Sequence, residues 1–142
     1  MSGIKTAGTQ PEEYVRSLLA GQEFRVRRNV KTLPGKPDIV IPSLRAVILV
    51  HGCFWHRHDC HLFKWPSTRS DLWKAKLNRN FDVDQAAQAA LIDAGWRVLV
   101  IWECALKGRA KLSERMMRFR IGRWLSSHSV NTEIRARQRG GD

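Results

Sequence analysis

The sequence predicts a mixed α/β layer fold: one sheet flanked by helices, in the order helix, three strands, helix, strand, helix. Three observations predict it. Two apolar, β-branched runs, Asp38-Ile39-Val40-Ile41 and Ala46-Val47-Ile48-Leu49-Val50, are separated only by Pro42-Ser43-Leu44-Arg45, which reads as an antiparallel hairpin. Between Ser70 and Ala94 the apolar residues Leu72, Trp73, Leu77, Phe81, Ala87 and Leu91 recur at roughly helical spacing. Arg97-Val98-Leu99-Val100-Ile101-Trp102 is then a strand, and a strand–helix–strand crossover makes it parallel to the 46–50 strand.

The remaining elements follow in chain order. Thr9-Gln10-Pro11-Glu12 combines an N-cap threonine, an early proline and a carboxylate three residues on, so a helix begins there. It runs to about Ala20, buries Val15, Leu18 and Leu19, and stops at Gly21. Phe24-Arg25-Val26-Arg27 alternates like a half-buried strand, and Leu33-Pro34-Gly35-Lys36-Pro37 is turn chemistry. Asn78 and Asn80 are expected to break or bend the long helix, and Gly95 to end it. A last helix covers about Leu112–Leu125 with Met117, Ile121, Trp124 and Leu125 inward. A single domain is expected over 1–125, with 126–142 an arginine-rich, mobile tail that has little to bury.

The 142 residues suit one domain with a real core. No run approaches a membrane span and the first residues lack the apolar stretch of a secretory signal, so a soluble cytoplasmic protein is expected. With 25 Lys and Arg against 13 Asp and Glu, the net charge is +12. A surface of that sign seeks polyanions, nucleic acid first. Charge alone equally suits a ribosomal-type protein, so the motifs decide.

Three cysteines cannot all pair, and cytosolic chains seldom keep disulfides, so Cys53, Cys60 and Cys104 read as metal ligands or buried thiols. Four of the five histidines, His51, His56, His58 and His61, share the short stretch that holds Cys53 and Cys60. Cys104 follows the parallel strand and so reaches the same sheet edge as Cys53, closing a tetrahedral Cys₃His site in the loop 51–61. Four protein ligands fill the shell of Zn²⁺, which makes its role structural; spacing does not choose the histidine.

Asp38 opens a strand that pairs with Val50-His51, placing a carboxylate beside a backbone carbonyl and an imidazole. Mg²⁺ takes few protein carboxylates, several waters and substrate phosphate oxygens, so this is a sufficient platform. His51 and His56 are candidates for phosphate binding or proton transfer. Taken singly, Asp38 reads as a turn residue and each histidine as a surface one.

Leu33-Pro34-Gly35-Lys36-Pro37-Asp38, Val50-His51-Gly52-Cys53-Phe54-Trp55-His56 with His58 and Cys60, Gly95-Trp96-Arg97-Val98 and Trp102-Glu103-Cys104 together resemble the very-short-patch (Vsr) mismatch-repair DNA endonuclease family. The resemblance runs from about Thr9 to Leu106. It implies a restriction-endonuclease-like fold and Mg²⁺-dependent nicking of double-stranded DNA, 5′ to the thymine of a T:G mismatch; a monomer is expected. By the same resemblance Asp38 is the principal Mg²⁺ ligand and the Val50 carbonyl a second. His51 and His56 assist at the scissile phosphate, Asp84 orients a catalytic histidine, and Glu12 sits near the same centre. Cys53, His58, Cys60 and Cys104 hold the zinc. Some members carry threonine where this chain has Val50; a carbonyl role survives that change.

The resemblance also makes Phe54, Trp55 and Trp73 wedges between base steps, a device that selects sites where the stack opens cheaply. Trp96, Trp102 and Trp124 read as core. Lys64, Arg69, Lys74, Lys76 and Arg79 flank the wedges and suit backbone phosphates, as they would a solvated helix face. Two rivals remain: a restriction-like nuclease acting on another lesion or sequence, and a zinc-stabilised DNA-binding module without catalysis.

Overall fold

A hairpin organises the sheet. In the computed structural model, which describes residues 10–21, 24–58, 60 and 63–137, β2 (Ile39–Ile41) and β3 (Ala46–His51) pair antiparallel with Ile39 opposite Ile48. Pro42–Leu44 form a single 3₁₀ turn between them, and Arg45 takes a left-handed φ of 50° to re-enter the sheet. That arginine is held by three further contacts. Its guanidinium donates to the Ala94 carbonyl at 2.8 Å and lies 4.3 Å from the Trp96 ring centre. Its own carbonyl accepts from Arg97 N–H at 2.7 Å, tying the hairpin turn to the start of the next strand.

That strand is β4 (Arg97–Trp102), parallel to β3 from Ala46↔Arg97 to His51↔Trp102. The crossover between them is α2 (Ser70–Asp93), which ends at Gly95 with a φ of +93°. The helix runs unbroken through Asn78 and Asn80, contrary to expectation. Both amides bond away from their own backbone: Asn78 Oδ1 accepts from Arg57 at 2.8 Å and Asn80 Nδ2 donates to the Trp55 carbonyl at 3.3 Å. The local competition that makes asparagine a poor helix residue is thereby removed.

The central strands are buried on both faces, which is why they read as continuous apolar runs. Ile39, Ile41, Ile48, Leu99 and Ile101 face α1 (Gln10–Leu18) and α4 (Glu114–Leu125), against Val15, Leu18, Met117, Ile121 and Trp124. Val40, Val47, Leu49, Val98 and Val100 face the other way, against Leu91 of α2 and the cysteines. Each fully buried Leu or Ile contributes roughly 1.5–3 kcal/mol. The mixed sheet flanked by helices is consistent with a restriction-endonuclease-like fold.

Several expected boundaries move. The strand at 24–27 is reduced to β1 (Arg27–Arg28), an exposed sheet margin with little apolar surface to hold a longer pairing. A short helix α3 (Glu103–Leu106) follows β4, and α4 begins two residues later than expected, with Ser113 Oγ accepting from Met116 N–H at 3.1 Å. The N-cap assigned to Thr9 lies outside the described residues, as do His61 and 138–142.

Of the segment 126–142, expected to be a mobile tail, the described residues 126–137 depart from that expectation: they contribute β5 (Asn131–Ile134), parallel to β4 with Ile101 opposite Ile134. A margin strand needs only one apolar face. Ile134 fills the α4 side, Glu133 accepts from Trp102 Nε1 at 2.8 Å on the other, and Ala136 is buried beyond. The sheet order is β1-β2-β3-β4-β5. Among the described residues, no helix is long and apolar enough to cross a membrane.

Candidate active site

Because β3 and β4 run parallel in register, their last residues, His51 and Trp102, leave the sheet side by side. The chain beyond β3 turns at Gly52 into a loop; the chain beyond β4 enters α3. Cys53 and Cys104 are the second residues of these two exits, and both are buried. His58 Nδ1 lies 3.5 Å from Cys53 Sγ and 3.6 Å from Cys104 Sγ. With Cys60, the four donor atoms fall within 4.8 Å of one another.

The donor set fits a soft dication such as zinc. Backbone N–H groups of Cys104 and Ala136 point at Cys53 Sγ and Cys104 Sγ, at 3.3 and 3.4 Å, an arrangement that favours thiolates. The hydrogen bond from Cys53 holds the Cys104 thiol down to about 4, against its burial, while the same bond and burial push the Cys53 thiol up. The pair thus shares a proton that a cation would replace. Glu103 Oε1 accepts the Cys53 N–H at 3.0 Å, and its other oxygen meets Lys107 Nζ at 2.9 Å. The Trp102 indole stacks on the His58 ring, centres 3.9 Å apart and planes within 5°.

On the other side of Trp102 lies a second cluster. His51 and His56 stack with centres 3.8 Å apart and 3° between planes, and His56 Nδ1 bonds the Asp84 carboxylate from α2. Donor atoms of all three residues fall within 4.8 Å. Burial first, and His56 second, hold the His51 imidazole down to about 3, so at neutral pH it is uncharged. Its buried Nδ1 has no hydrogen-bond partner among the described residues. Trp102, expected to be simple core, is therefore the wall shared by both clusters, edge-on to His51 at 5.3 Å.

Asp38 precedes β2, and its Oδ2 accepts the Val50 N–H at 2.8 Å. In a strand the N–H and C=O of one residue face the same neighbour. The carbonyls of Pro37 and Asp38 accept from Val30 and Asn29 N–H at 3.1 and 2.9 Å, toward β1, so at this bend it is the Asp38 side chain that reaches Val50. A carbonyl and a carboxylate thus converge beside His51. Burial, reinforced by the nearby Glu12 carboxylate from the first turn of α1, raises Asp38 to about 7 despite the Val50 hydrogen bond. Two crowded carboxyl groups have the chemistry that suits a hard cation.

The aromatics also assemble. Phe54 and Trp73 meet edge to face at 5.5 Å, Trp55 lies 5.8 Å from Trp73, and Trp55 is 48% exposed. Lys76 Nζ sits over both tryptophans, at 5.5 and 5.7 Å. Two members were not singled out from sequence: Phe63, 6.0 Å from Phe54, and Trp65, 5.0 Å from Phe63. The interleaving Phe63-Lys64-Trp65 was the available signal. Lys64 and Arg69 are exposed, and Arg69 precedes α2 with a left-handed φ of 54°.

Comparison with known proteins agrees with this geometry. The family model described as DNA mismatch endonuclease Vsr matches residues 1–62. The chain is 42% identical, over 94% of its length and 86% of the relative, to the DNA mismatch endonuclease Vsr of Escherichia coli (strain K12). It is 46% identical to a type II nicking enzyme of Xanthomonas oryzae pv. oryzae, over 82% of this chain and 85% of that one. A type II nicking enzyme of Neisseria meningitidis serogroup A is 40% identical over 83% and 84%. At that identity, across nearly its whole length, the chain belongs to the DNA mismatch endonuclease Vsr family and is an endonuclease acting on DNA.

Proposed function

We propose that the protein nicks one strand of double-stranded DNA, 5′ to the thymine of a T:G mismatch, with Mg²⁺ at Asp38 and the Val50 carbonyl. The observation that carries this reading is the joint placement, on consecutive residues, of the Asp38–Val50 pair and the stacked His51–His56 pair backed by Asp84. Bound there, Mg²⁺ would activate a water and offset charge on the leaving 3′ oxygen. Asp84 fixes the His56 ring through Nδ1 and leaves Nε2 for the scissile phosphate. Two rings stacked this closely disfavour two positive charges, so His51 stays uncharged and would orient the attacking water by a hydrogen bond while His56 holds a phosphate oxygen. Glu12 supports Asp38 as a second carboxylate.

Zn²⁺ at Cys53, His58, Cys60 and Cys104 would be structural, with no ligand position left for water. Phe54, Trp55 and Trp73 form the wedge, with Lys64 and Arg69 on phosphates. One catalytic set per chain suits a monomer that cuts one strand. The relatives named as type II nicking enzymes favour one second reading, nicking at a different sequence context. Single-turnover nicking of T:G, paired and other mismatched duplexes, with Mg²⁺ and with chelator, tests both. Equal rates on paired and T:G duplexes would overturn the mismatch assignment.

A further inference from the structure

The α4–β5 side of the molecule carries a groove that none of this chemistry uses. One cleft of about 490 Å³ is lined by Met116, Phe119, Arg120, Arg123, Trp124 and the β5 residues Thr132 to Ile134. A second, of about 650 Å³, shares Met116 and Arg120 with it and continues past Lys111, Arg135 and Arg137. The two form one trough along α4 beside β5. That strand ends the sheet, so among the described residues no further strand covers its outer side.

We propose that this trough docks an extended acidic segment of a partner protein, alternating acidic and apolar side chains, added beside β5 as a sixth strand. Four observations support that occupant. The outer margin of β5 offers backbone groups for strand addition. Phe119 and Met116, 59% and 41% exposed, give an apolar strip for alternate side chains. Lys111, Arg120, Arg123, Arg135 and Arg137 surround it, while the carboxylate of the lining residue Glu133 turns to Trp102 on the other face of the sheet. Trp124, only 4% exposed, lines the cleft and has a buried indole N–H with no acceptor among the described residues.

A DNA backbone fits less well. It presents no apolar side chains to Met116 and Phe119, and α4 packs on the sheet face opposite α2 and the zinc-type cluster. A peptide in the trough and a duplex on the aromatic loop should therefore bind together.

The test uses the full chain, saturated with an unmodified paired duplex, and a fluorescein-labelled peptide of about ten residues in which Glu and Leu alternate. The expected result is binding, read by anisotropy, that persists with duplex present. Phe119→Asp and Arg120→Glu should each weaken it at least about ten-fold while leaving T:G nicking unchanged. Amide exchange should slow at Asn131–Ile134 when the peptide is added. Displacement of the peptide by duplex, equal binding of the Lys-for-Glu peptide, or affinity unchanged by Phe119→Asp would overturn the proposal. So would a loss of duplex affinity on Arg120→Glu as large as the loss of peptide affinity, which would assign the trough to DNA.

Discussion

The two clusters flanking Trp102 are built from the same strand ends yet have opposite physical characters. The Cys53–His58–Cys60–Cys104 group is inward, with backbone N–H groups on its sulfurs and a tryptophan stacked on its histidine. The Asp38, His51, His56 and Asp84 side keeps a carboxyl raised to about 7 and a buried imidazole nitrogen without a hydrogen-bond partner among the described residues. On the proposed reading the first, a closed set of four soft donors, serves structure. The second, with a buried carboxyl crowded by Glu12, serves the substrate on that reading, at a cost in stability.

The sharpest way to break this contrast is Asp38→Ala. It should lower nicking on the order of 10³-fold, about 4 kcal/mol of transition-state stabilisation, with duplex affinity and melting temperature largely kept. Retained activity in a single-turnover assay would remove Asp38 from the centre. Cys104→Ala should do the reverse, melting the fold before it touches the chemistry. Metal analysis should find about one zinc per chain in the parent protein and less in the variant, with several kcal/mol of stability lost in denaturant titrations. Absence of zinc in the parent would end the structural-metal reading.

A pH series separates the clusters further. The Asp38 carboxyl is raised from 3.8 to about 7, so its neutral form is favoured in the folded chain. Stability from this group is complete below its unfolded value and is lost as pH rises through about 7, by up to roughly 4 kcal/mol. Mg²⁺, which needs the ionised carboxylate, should bind about ten-fold more tightly per pH unit up to that point and then level off. Calorimetric titration with Mg²⁺ from pH 5 to 8 measures this, and a flat profile would contradict it.

Asp84→Asn should slow nicking about 10–100-fold, with duplex affinity unchanged, because it loosens the His56 ring without removing it. An unchanged rate would show the His56–Asp84 contact to be incidental. The smallest effect is expected from Trp73→Ala, a loss of roughly ten-fold in T:G over T:A discrimination, as stacking is worth about 1–3 kcal/mol per base. Measured at two salt concentrations, an unchanged ratio with a general fall in rate would make Trp73 a packing residue.

Much of this was legible in residue order because the relevant physics is local. Apolar period and turn chemistry determined β2, β3, β4 and α2, and the parallel crossover alone brought Cys53 and Cys104 to one margin. The Asp38–Val50 convergence followed from the hairpin, whose register depends on a short turn. What failed had weak local signals. Residues 131–134 carry one buried apolar side chain, so only the open margin of β4 makes them a strand. Asn78 and Asn80 look like helix breakers until the loop residues Arg57 and Trp55 come within reach.

The sequence by itself determined which chemistries were available: a soft, closed donor set, a hard, sparse one, and aromatics between cations. Only the tertiary structure decided their relations. It set Trp102 as the wall between the two clusters, stacked His51 on His56, placed Glu12 against Asp38 and left α4 and β5 with an open trough. The physical reason is range. Propensity and period act over a few residues, whereas burial, stacking and shifted acidity depend on groups brought together from distant parts of the chain, and those distances exist only after folding.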